Sequence, residues 1–313
     1  MKRFALIGAA GYIADRHMKA IKETGNDLVC ALDHFDVMGR IDSFFPDAEF
    51  FLEIENLDDY LDDLRRMGSP VDFVTICTPN YMHASHIRFA LRNGANAICE
   101  KPLVVYPEDI RIIRDLEAET GKRVFTILQL RYHPAIIALK KEIEEAGDNM
   151  YDIDLSYITT RGKWYLKSWK GDVGKSGGIA TNIGIHFFDM ITWIFGNVVE
   201  NKVHIYEPER AAGFLQLERA RVRWFLSLDY NDLPTYATSR GMRTYRSITV
   251  NGKEIEFSGG FTDLHTLTYQ NILNGNGYGI EDARESIVLT DFVRNSKPLG
   301  IRGEYHPFLE KYR

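Results

Sequence analysis

The chain has 313 residues, of which 45% are hydrophobic and 26% are charged. These proportions are typical of a globular protein that is long enough to form two domains. The formal net charge of −6 argues against nucleic acid or an anionic membrane surface as a partner, because both bind basic surfaces.

The three cysteines indicate a reducing compartment. Cys30, Cys77 and Cys99 lie in or beside predicted strands without CxxC spacing, so we interpret them as small buried hydrophobic residues. The basic, apolar N-terminus resembles a secretion signal, but it contains a Gly-x-x-Gly turn and leads directly into an amphipathic helix. No stretch approaches the roughly eighteen apolar residues that span a bilayer. We therefore predict a cytoplasmic protein without a membrane partner.

Through the first 130 residues, short apolar runs alternate with amphipathic helices. The first helix follows Gly11, where Ile13, His17, Ala20 and Ile21 fall on one helical face. Strands separated by helices of this length indicate the parallel, doubly wound sheet of a Rossmann fold. The predicted strands are Phe4–Ile7, Leu28–Leu32, Glu49–Leu52, Val71–Ile76, Ala95–Cys99 and Val124–Leu128, and the helices between them lie at Ile13–Thr24, Leu57–Met67, Met82–Leu91 and from Pro107.

The pattern changes after about residue 130, where strand-like runs with short turns predominate. Asn251-Gly252 carries a hairpin signal, and helices are predicted at Ile136–Ala146, Ile179–Phe195 and from Ile280. We predict an NAD-binding domain over 1–130 and a substrate-binding and oligomerisation domain over 131–313, an α/β domain with a large, open, mostly antiparallel sheet. It stays open whether the last helix packs back on the first domain. The strands predicted here are Tyr151–Thr160, Lys202–Ile205, Gly213–Leu217, Arg221–Tyr230, Arg246–Val250 and Glu254–Phe257.

Gly8-Ala9-Ala10-Gly11-Tyr12-Ile13 lies where the first strand turns into the first helix. Glycines at such a turn let the backbone approach a pyrophosphate at the helix N-terminus. Asp33 lies 22 residues beyond Gly11, where a carboxylate would accept both ribose hydroxyls of NAD, and no arginine suited to the 2′-phosphate of NADP follows before Arg40. The alternatives are an ordinary tight turn and an Asp33 that only caps a helix. Together the turn and the carboxylate favour NAD.

Two further loops follow strands at the same edge of the predicted sheet. Thr78-Pro79-Asn80 ends the fourth strand, with His83 opening the next helix, and Glu100-Lys101-Pro102 ends the fifth strand. Open α/β sheets bind ligands at the carboxyl ends of their strands, which would bring both loops beside the cofactor. Alternatively, Asn80 is only a helix cap and Lys101 only a solvated residue at a strand exit.

The segment from Gly177 to Asp189 carries the most specific pattern of the second domain. On a helix, Asn182, His186, Asp189 and Trp193 fall at offsets 0, 4, 7 and 11 and form one polar stripe. A histidine flanked by an amide and a carboxylate is a candidate general base, although a lone histidine beside an apolar face is more often structural. The HxxD spacing is too sparse for a metal site, and we predict no metal.

A cation-rich segment precedes this helix and carries five cations against one carboxylate, Asp172, over fifteen residues. The acidic chain argues against nucleic acid, and a solvated loop is the plain alternative. A site for a diphosphate, an anionic sugar or a neighbouring subunit's cofactor fits the mixture of charges and rings better. The cations are Arg161, Lys163, Lys167, Lys170 and Lys175, and the interleaved aromatic residues are Trp164, Tyr165 and Trp169.

Together these motifs resemble the Gfo/Idh/MocA oxidoreductases. The resemblance rests on Gly8–Ile13, Cys77–Asn80 with His83, Glu100-Lys101-Pro102 and Gly178…Gly184-x-His186-x-x-Asp189, and it extends over essentially the whole chain. Within the family the chain is most similar to the group that oxidises the 3″-hydroxyl of UDP-N-acetyl-2-amino-2-deoxy-D-glucuronate with NAD⁺ in bacterial surface-polysaccharide (O-antigen) synthesis. That closer similarity lies in Ile127–His133, Lys163–Gly171 and Ala220–Ser227.

The resemblance implies a homotetramer packed through the open sheets, and reoxidation of bound NADH by 2-oxoglutarate. It implies Lys101 and His186 as the catalytic pair, with Glu100 and Lys101 at the nicotinamide ribose. The residues then predicted to bind the cofactor are Gly8, Gly11, Tyr12, Ile13, Asp33, Cys77, Thr78, Pro79, Asn80, His83, Glu100, Lys101, Gln129 and Trp164. Those predicted to bind the substrate are Lys101, Arg161, Lys163, Lys170, Asn182 and His186.

Asn182 departs from the aspartate that many family members carry four residues before the histidine. A carboxylate there would orient the imidazole and stabilise its cation, whereas an amide can only orient it. Two other functions stay open, namely another sugar or inositol dehydrogenase of the same family and a non-catalytic NAD-sensing regulator. Retention of both Lys101 and His186 argues against the regulator.

Overall fold

The computed structural model describes residues 1–256 and 263–313, and the chain divides into two compact units. The first unit comprises Met1–Gln129 with Thr262–Arg284, and the second comprises Leu130–Phe261 with Glu285–Arg313. The first unit thus includes a later stretch of the chain that the division predicted at residue 130 does not assign to it.

The strands follow the predicted runs closely in position. They are β1 (Arg3–Ile7), β2 (Asp27–Leu32), β3 (Glu49–Phe51), β4 (Phe73–Ile76), β5 (Asn96–Cys99), β6 (Val124–Thr126), β7 (Tyr151–Thr159), β8 (Val198–Tyr206), β9 (Arg210–Leu217), β10 (Ala220–Ser227), β11 (Thr244–Val250) and β12 (Lys253–Glu256). The last strand was predicted to reach Phe257, which lies outside the described residues.

The helices include several short ones that periodicity does not reveal. They are α1 (Ala14–Glu23), α2 (Met38–Asp42), α3 (Ile54–Arg66), α4 (His83–Arg92), α5 (Glu108–Thr120), α6 (Pro134–Glu145), α7 (Trp164–Lys167), α8 (Val173–Ser176), α9 (Ile185–Phe195), α10 (Thr235–Ser239), α11 (Leu264–Leu273) and α12 (Ile280–Asn295). None of the described helices combines the length and apolar character needed to cross a membrane.

The first unit is built on a six-stranded sheet in the order β3-β2-β1-β4-β5-β6, with every pair parallel. Its central strands β1, β4 and β5 are mostly apolar and buried, as expected of a sheet covered by helices on both faces, whereas the edge strand β3 is partly exposed. The strand order reverses between β1 and β4, which is where doubly wound sheets bind ligands. The predicted Rossmann sheet is confirmed.

The second unit is built on a six-stranded sheet in the order β12-β11-β7-β10-β9-β8. β7 and β10 are parallel and the other pairs antiparallel, which confirms the predicted, mostly antiparallel sheet. One face packs against α6 and α9 around Trp224 and Phe188. The hairpin between β11 and β12 turns at Asn251 and Gly252, with φ of 47° and 82°, as the Asn-Gly signal predicts.

The helix predicted over Ile179–Phe195 differs from expectation at its start. Ala180–Gly184 form a π-helical turn, and the α-helix begins only at Ile185. A π turn takes up more residues than an α turn, so the α-helical offsets used for the stripe do not apply at Asn182. The sequence could not reveal this, because hydrophobic periodicity does not distinguish one wide turn from a regular one.

Candidate active site

Gly8 brings the turn after β1 against the end of β4. Its φ is +94°, and a Cβ atom there would lie 2.7 Å from the carbonyl carbon of Cys77. Its N–H donates to the carbonyl oxygen of Leu32 at 2.8 Å, which ties the turn to the end of β2. Both the positive φ and the close approach require glycine. The turn therefore needs glycine where it packs against the end of β4, at the switch point of the sheet.

We expect Gly8→Ala to abolish tight NAD binding and to lower the melting temperature. The added methyl group would meet the backbone of Cys77 and Thr78 at 2.7 Å, and the residue would also be strained at a φ of +94°. Calorimetric titration with NADH, together with thermal unfolding, measures both effects. Gly39→Ala is the matched control, because a Cβ atom at Gly39 meets nothing within 4 Å. Unchanged NADH affinity in Gly8→Ala would contradict this role.

Asp33 is held at the end of β2 by the same turn. Its Oδ2 accepts from the backbone N–H of Ala10 at 2.8 Å, and its Oδ1 accepts from that of Phe35 at 3.2 Å. Its side chain is only partly buried, so the carboxylate keeps lone pairs for ribose hydroxyls. Arg40 contacts Asp15 and the carbonyl oxygens of the turn instead. The turn at Gly8, which we call the glycine cradle, suits the pyrophosphate of NAD, and the fixed carboxylate of Asp33 suits its ribose hydroxyls.

His83 connects two predicted cofactor loops. Its Nδ1 lies 2.7 Å from the carbonyl oxygen of Pro102, and its Nε2 lies 2.8 Å from that of Thr78. Burial lowers the pKa of His83, although both hydrogen bonds act to raise it. The ring is 1% exposed, and both of its nitrogens are engaged by backbone. A cofactor contact by His83 stays a prediction, whereas its bridging of the two loops is observed.

Glu100 and Lys101 follow β5 at the carboxyl edge of the sheet. Glu100 is buried, and its Oε1 lies within hydrogen-bonding distance of two histidines, His17 and His265. Lys101 is partly exposed and precedes a cis peptide bond to Pro102. Sequence reasoning missed His265, because it lies on α11, a helix that was not predicted. No pattern marks α11, since its buried face mixes histidine, threonine and tyrosine with leucine and isoleucine.

The other predicted cofactor residues of the first unit are spread along the same strand ends. Cys77 and Asn80 are buried, Thr78 and Pro79 are partly buried, and Gln129 opens the turn after β6. Tyr12 is 84% exposed and is the residue of this group that reaches furthest into solvent. All three cysteines are free and buried, as predicted.

In the second unit, Asn182 is tied to the cation-rich segment. Its Nδ2 donates to the hydroxyl oxygen of Tyr165 at 2.5 Å, and its side chain is buried. Burial raises the pKa of Tyr165, while Asn182 and Arg161 act to lower it. Asn182 therefore anchors α7, a contact that the predicted stripe with His186 did not anticipate.

Asp189 forms a buried ion pair with Arg131. Nε of Arg131 lies 3.1 Å from Oδ2, and Nη2 lies 2.7 Å from Oδ1, in the two-pronged geometry that arginine makes with carboxylates. Asp189 is 2% exposed and Arg131 is 7% exposed, whereas His186 on the same helix is only partly buried. Asp189 thus has a fixed cationic partner, which the sequence stripe did not identify.

The cation-rich segment folds into the short helices α7 and α8 and presents several of its charges to solvent. Arg161 and Lys163 are exposed, and Trp164 is 79% exposed with Nζ of Lys167 5.8 Å from its ring centre. Nζ of Lys170 lies 5.9 Å from the ring centre of Tyr165. A cavity of about 110 Å³ beside this segment is lined by Tyr165, Leu166, Lys170, Gly171, Val173, Gly178, Ile179, Tyr206, Glu207 and Pro208.

Several solved structures and curated proteins are similar to the chain. The WlbA (WbpB) dehydrogenase from Thermus thermophilus, crystallised with NAD and alpha-ketoglutarate, is 53% identical with a TM-score of 0.96, over 99% of this chain and 100% of that one. Its complex with NAD and UDP-GlcNAcA is 52% identical, with the same TM-score of 0.96 and the same coverage. Inositol 2-dehydrogenase from Rhizobium meliloti (strain 1021) is 27% identical over 199 residues, which are 62% of this chain.

The chain spans about half the length of the curated relatives it matches, for example 55% of that inositol dehydrogenase. Residues 2–128 match the profile described as oxidoreductase family, NAD-binding Rossmann fold, and residues 141–254 match oxidoreductase family, C-terminal alpha/beta domain. These two matched ranges cover well over half of the chain. The chain therefore belongs to the Gfo/Idh/MocA family of NAD-binding oxidoreductases.

Proposed function

We propose that this protein is an NAD-dependent dehydrogenase that oxidises the 3″-hydroxyl of UDP-N-acetyl-2-amino-2-deoxy-D-glucuronate to the 3-keto sugar. The observation that carries the proposal is the 52% identity, over 99% of the chain, to a dehydrogenase crystallised with NAD and UDP-GlcNAcA. The glycine cradle at Gly8 and the fixed carboxylate of Asp33 supply an NAD site of the right chemistry.

Lys101 and His186 are the proposed catalytic residues. His186 takes the proton from the sugar hydroxyl as general base, and the ammonium of Lys101 hydrogen-bonds to the same oxygen and stabilises the negative charge that develops there. Bound NAD⁺ supplies the hydride acceptor at nicotinamide C4. Glu100 and Asp33 orient the two riboses by accepting hydrogen bonds from their hydroxyls.

The cation-rich segment is the proposed site for the anionic parts of the substrate. The diphosphate and the uronate carboxylate require several cations, and Arg161 and Lys163 present theirs to solvent. Lys170 belongs to the same segment and is a further proposed substrate contact. Trp164, also in this segment, is proposed to contact the cofactor. The contact from Asn182 to Tyr165 holds the segment against the π-helical turn.

We expect Asn182→Ala to raise KM for the nucleotide sugar about threefold to tenfold, with little change in kcat. This factor corresponds to the free energy of one neutral hydrogen bond. The reason is that Asn182 anchors Tyr165 rather than ionising. Asn182→Asp is the matched variant, because its carboxylate can accept from the Tyr165 hydroxyl and should keep KM near the wild-type value. Steady-state kinetics measures both constants. A large gain in kcat for Asn182→Asp would contradict an anchoring role, because it would show that the histidine needs a carboxylate.

We further propose that 2-oxoglutarate reoxidises bound NADH, being itself reduced to 2-hydroxyglutarate with uptake of a proton. A similar dehydrogenase crystallised with NAD and alpha-ketoglutarate supports this. The cytoplasmic location, the homotetramer packed through the open sheets and the place in surface-polysaccharide synthesis are proposals of the same kind. Light scattering on the purified protein tests the tetramer.

Formation of NADH tests the substrate. Protein, NAD⁺ and the UDP-sugar acid are mixed, absorbance at the NADH band is followed, and 2-oxoglutarate is then added. We expect a burst of NADH that 2-oxoglutarate discharges. Equal turnover with UDP-N-acetylglucosamine, which lacks the carboxylate, would contradict the uronate claim. Turnover of free inositols or sugars instead would favour another dehydrogenase of the family, and NAD binding without any turnover would favour a regulator.

A further inference from the structure

Two buried histidines, His17 and His265, contact the side chain of Glu100. Oε1 of Glu100 is 2.9 Å from Nε2 of His17 and 3.1 Å from Nε2 of His265. His17 is 0% exposed, His265 is 4% exposed and Glu100 is 8% exposed. Helices α1 and α11 of the first unit therefore each place one imidazole on the same carboxylate oxygen at the end of β5.

The direction of these hydrogen bonds follows from the chemistry of the partners. A carboxylate can only accept, so both Nε2 atoms donate to it. Burial lowers the pKa of His17 below its usual value and so favours its neutral ring, although the bond to Glu100 acts to raise it. A neutral ring protonated on Nε2 has a bare Nδ1, which accepts from the Tyr269 hydroxyl at 2.8 Å. Tyr269 in turn contacts Oγ1 of Thr75 at 2.8 Å. In the neutral ring, these bonds fix the tautomer of His17 with its proton on Nε2.

Glu100 is held as an anion with one oxygen fully occupied. Burial acts to raise the pKa of its carboxyl, but the hydrogen bonds from His17 and His265 outweigh burial and hold this pKa well below its usual range. Oε1 accepts both imidazole protons, and Oε2 accepts the backbone N–H of Lys101 at 3.2 Å. Oε2 retains a second lone pair for a further donor.

The same three side chains have ligand atoms within 4.8 Å of one another, close enough to hold a metal ion. Hydrogen bonds account for all three atoms without one, because each Nε2 carries the proton that Oε1 accepts. A metal ion would have to displace both protons and would break the link that runs from Tyr269 through His17. The arrangement favours a positioning cluster over a metal centre.

We propose that His17 and His265 are positioning residues, which lock Glu100 so that its Oε2 accepts from the nicotinamide ribose while its carboxylate fixes the backbone of Lys101. The proposal rests on the proposed function only in placing Glu100 at that ribose. Two rigid donors on Oε1 stop the carboxylate from rotating, so the ordering of Glu100 is complete before the cofactor binds.

The test compares His265→Leu with His265→Gln in the full-length protein. Leucine removes the donor, whereas a glutamine amide can restore an N–H near the position of Nε2. We expect His265→Leu to raise the NADH dissociation constant, followed by NADH fluorescence, about tenfold or more, as for loss of one bond to a charged group. We expect His265→Gln to recover most of that loss. His306→Leu is the matched control, since it removes a buried second-unit histidine that contacts Ser156 Oγ at 2.9 Å.

Three results would overturn the proposal. The first is an unchanged NADH dissociation constant in folded His265→Leu, and the second is a His265→Gln variant no better than leucine. The third is a stoichiometric metal ion in the purified wild type that His265→Leu loses. If His265→Leu does not fold, Tyr269→Phe is the alternative variant. It removes the hydroxyl that contacts Nδ1 of His17, so the imidazole is held less firmly against Glu100, and NADH binding is again expected to weaken. Failure of sugar turnover in the wild type would overturn the proposed function alone, because this readout needs only NADH.

Discussion

Lys101→Met is expected to lower kcat about 10²- to 10⁴-fold, which is the usual effect of removing a group that moves or shares a proton. The protein should still bind NADH. Lys101 follows directly after Glu100 at the end of β5, and its backbone N–H donates to Oε2 of Glu100. Methionine keeps the length and the packing of the side chain but cannot hydrogen-bond to the sugar oxygen. Stopped-flow measurement of the NADH burst separates the chemical step from reoxidation.

Two further variants test whether the effect is specific to the ammonium group of Lys101. Lys101→Arg keeps a cation but replaces a compact ammonium by a planar group, and we expect it to recover only part of the rate. Lys122→Met removes a lysine of the same unit that has no proposed catalytic role, and it should leave the burst unchanged. A Lys101→Met enzyme that forms NADH at the wild-type rate would exclude Lys101 from the chemistry.

Asp189→Asn is expected to lower the free energy of unfolding by about 3–5 kcal/mol, because it leaves a buried guanidinium without its counter-charge. Arg131 and Asp189 are 7% and 2% exposed and make two short hydrogen bonds, of 2.7 Å and 3.1 Å. The asparagine amide keeps the shape of the carboxylate, so packing is nearly unchanged and the loss is electrostatic. Urea denaturation followed by tryptophan fluorescence measures the change.

The control is an ion pair of the same kind at the surface. Nη1 of Arg111 lies 3.4 Å from Oδ2 of Asp115, and the two side chains are 78% and 65% exposed. Asp115→Asn should therefore lower the free energy of unfolding by at most about 0.5 kcal/mol. The double variant Arg131→Met with Asp189→Leu should be less destabilised than Asp189→Asn, since it leaves no buried charge. Equal stabilities for Asp189→Asn and Asp115→Asn would show that the buried pair contributes nothing beyond a surface one.

The turn and the strand ends that frame the candidate nucleotide site could be predicted from sequence because their signals are local. The turn at Gly8 needs a residue without a Cβ atom, and Asp33 and Glu100 follow directly after apolar strands whose parallel pairing brings their ends to one edge. Each of these constraints is visible within a few residues of the chain. The alternation of strands and helices indicates a parallel, doubly wound sheet, whereas the strand order itself is seen only in the structure.

The partners of these residues could not be predicted, because they come from distant parts of the chain. His265 lies 165 positions beyond Glu100, on a helix without a clear apolar stripe, and Arg131 lies 58 positions before Asp189. Asn182, in the π-helical turn at Ala180–Gly184, similarly donates to Tyr165, a contact that helical spacing does not imply. Local periodicity reports elements, whereas pairing between elements depends on the packed fold.

Transfer of deuterium from the sugar to the nicotinamide shows which carbon of the sugar the protein oxidises. UDP-N-acetyl-2-amino-2-deoxy-D-glucuronate labelled with deuterium at C3″ is incubated with the protein and NAD⁺, and the reduced nicotinamide is weighed by mass spectrometry. We expect one deuterium in the nicotinamide, slower NADH formation than with the unlabelled sugar, and no transfer from a sugar labelled at C4″. Transfer from C4″, or NADH formed without deuterium from C3″, would contradict it.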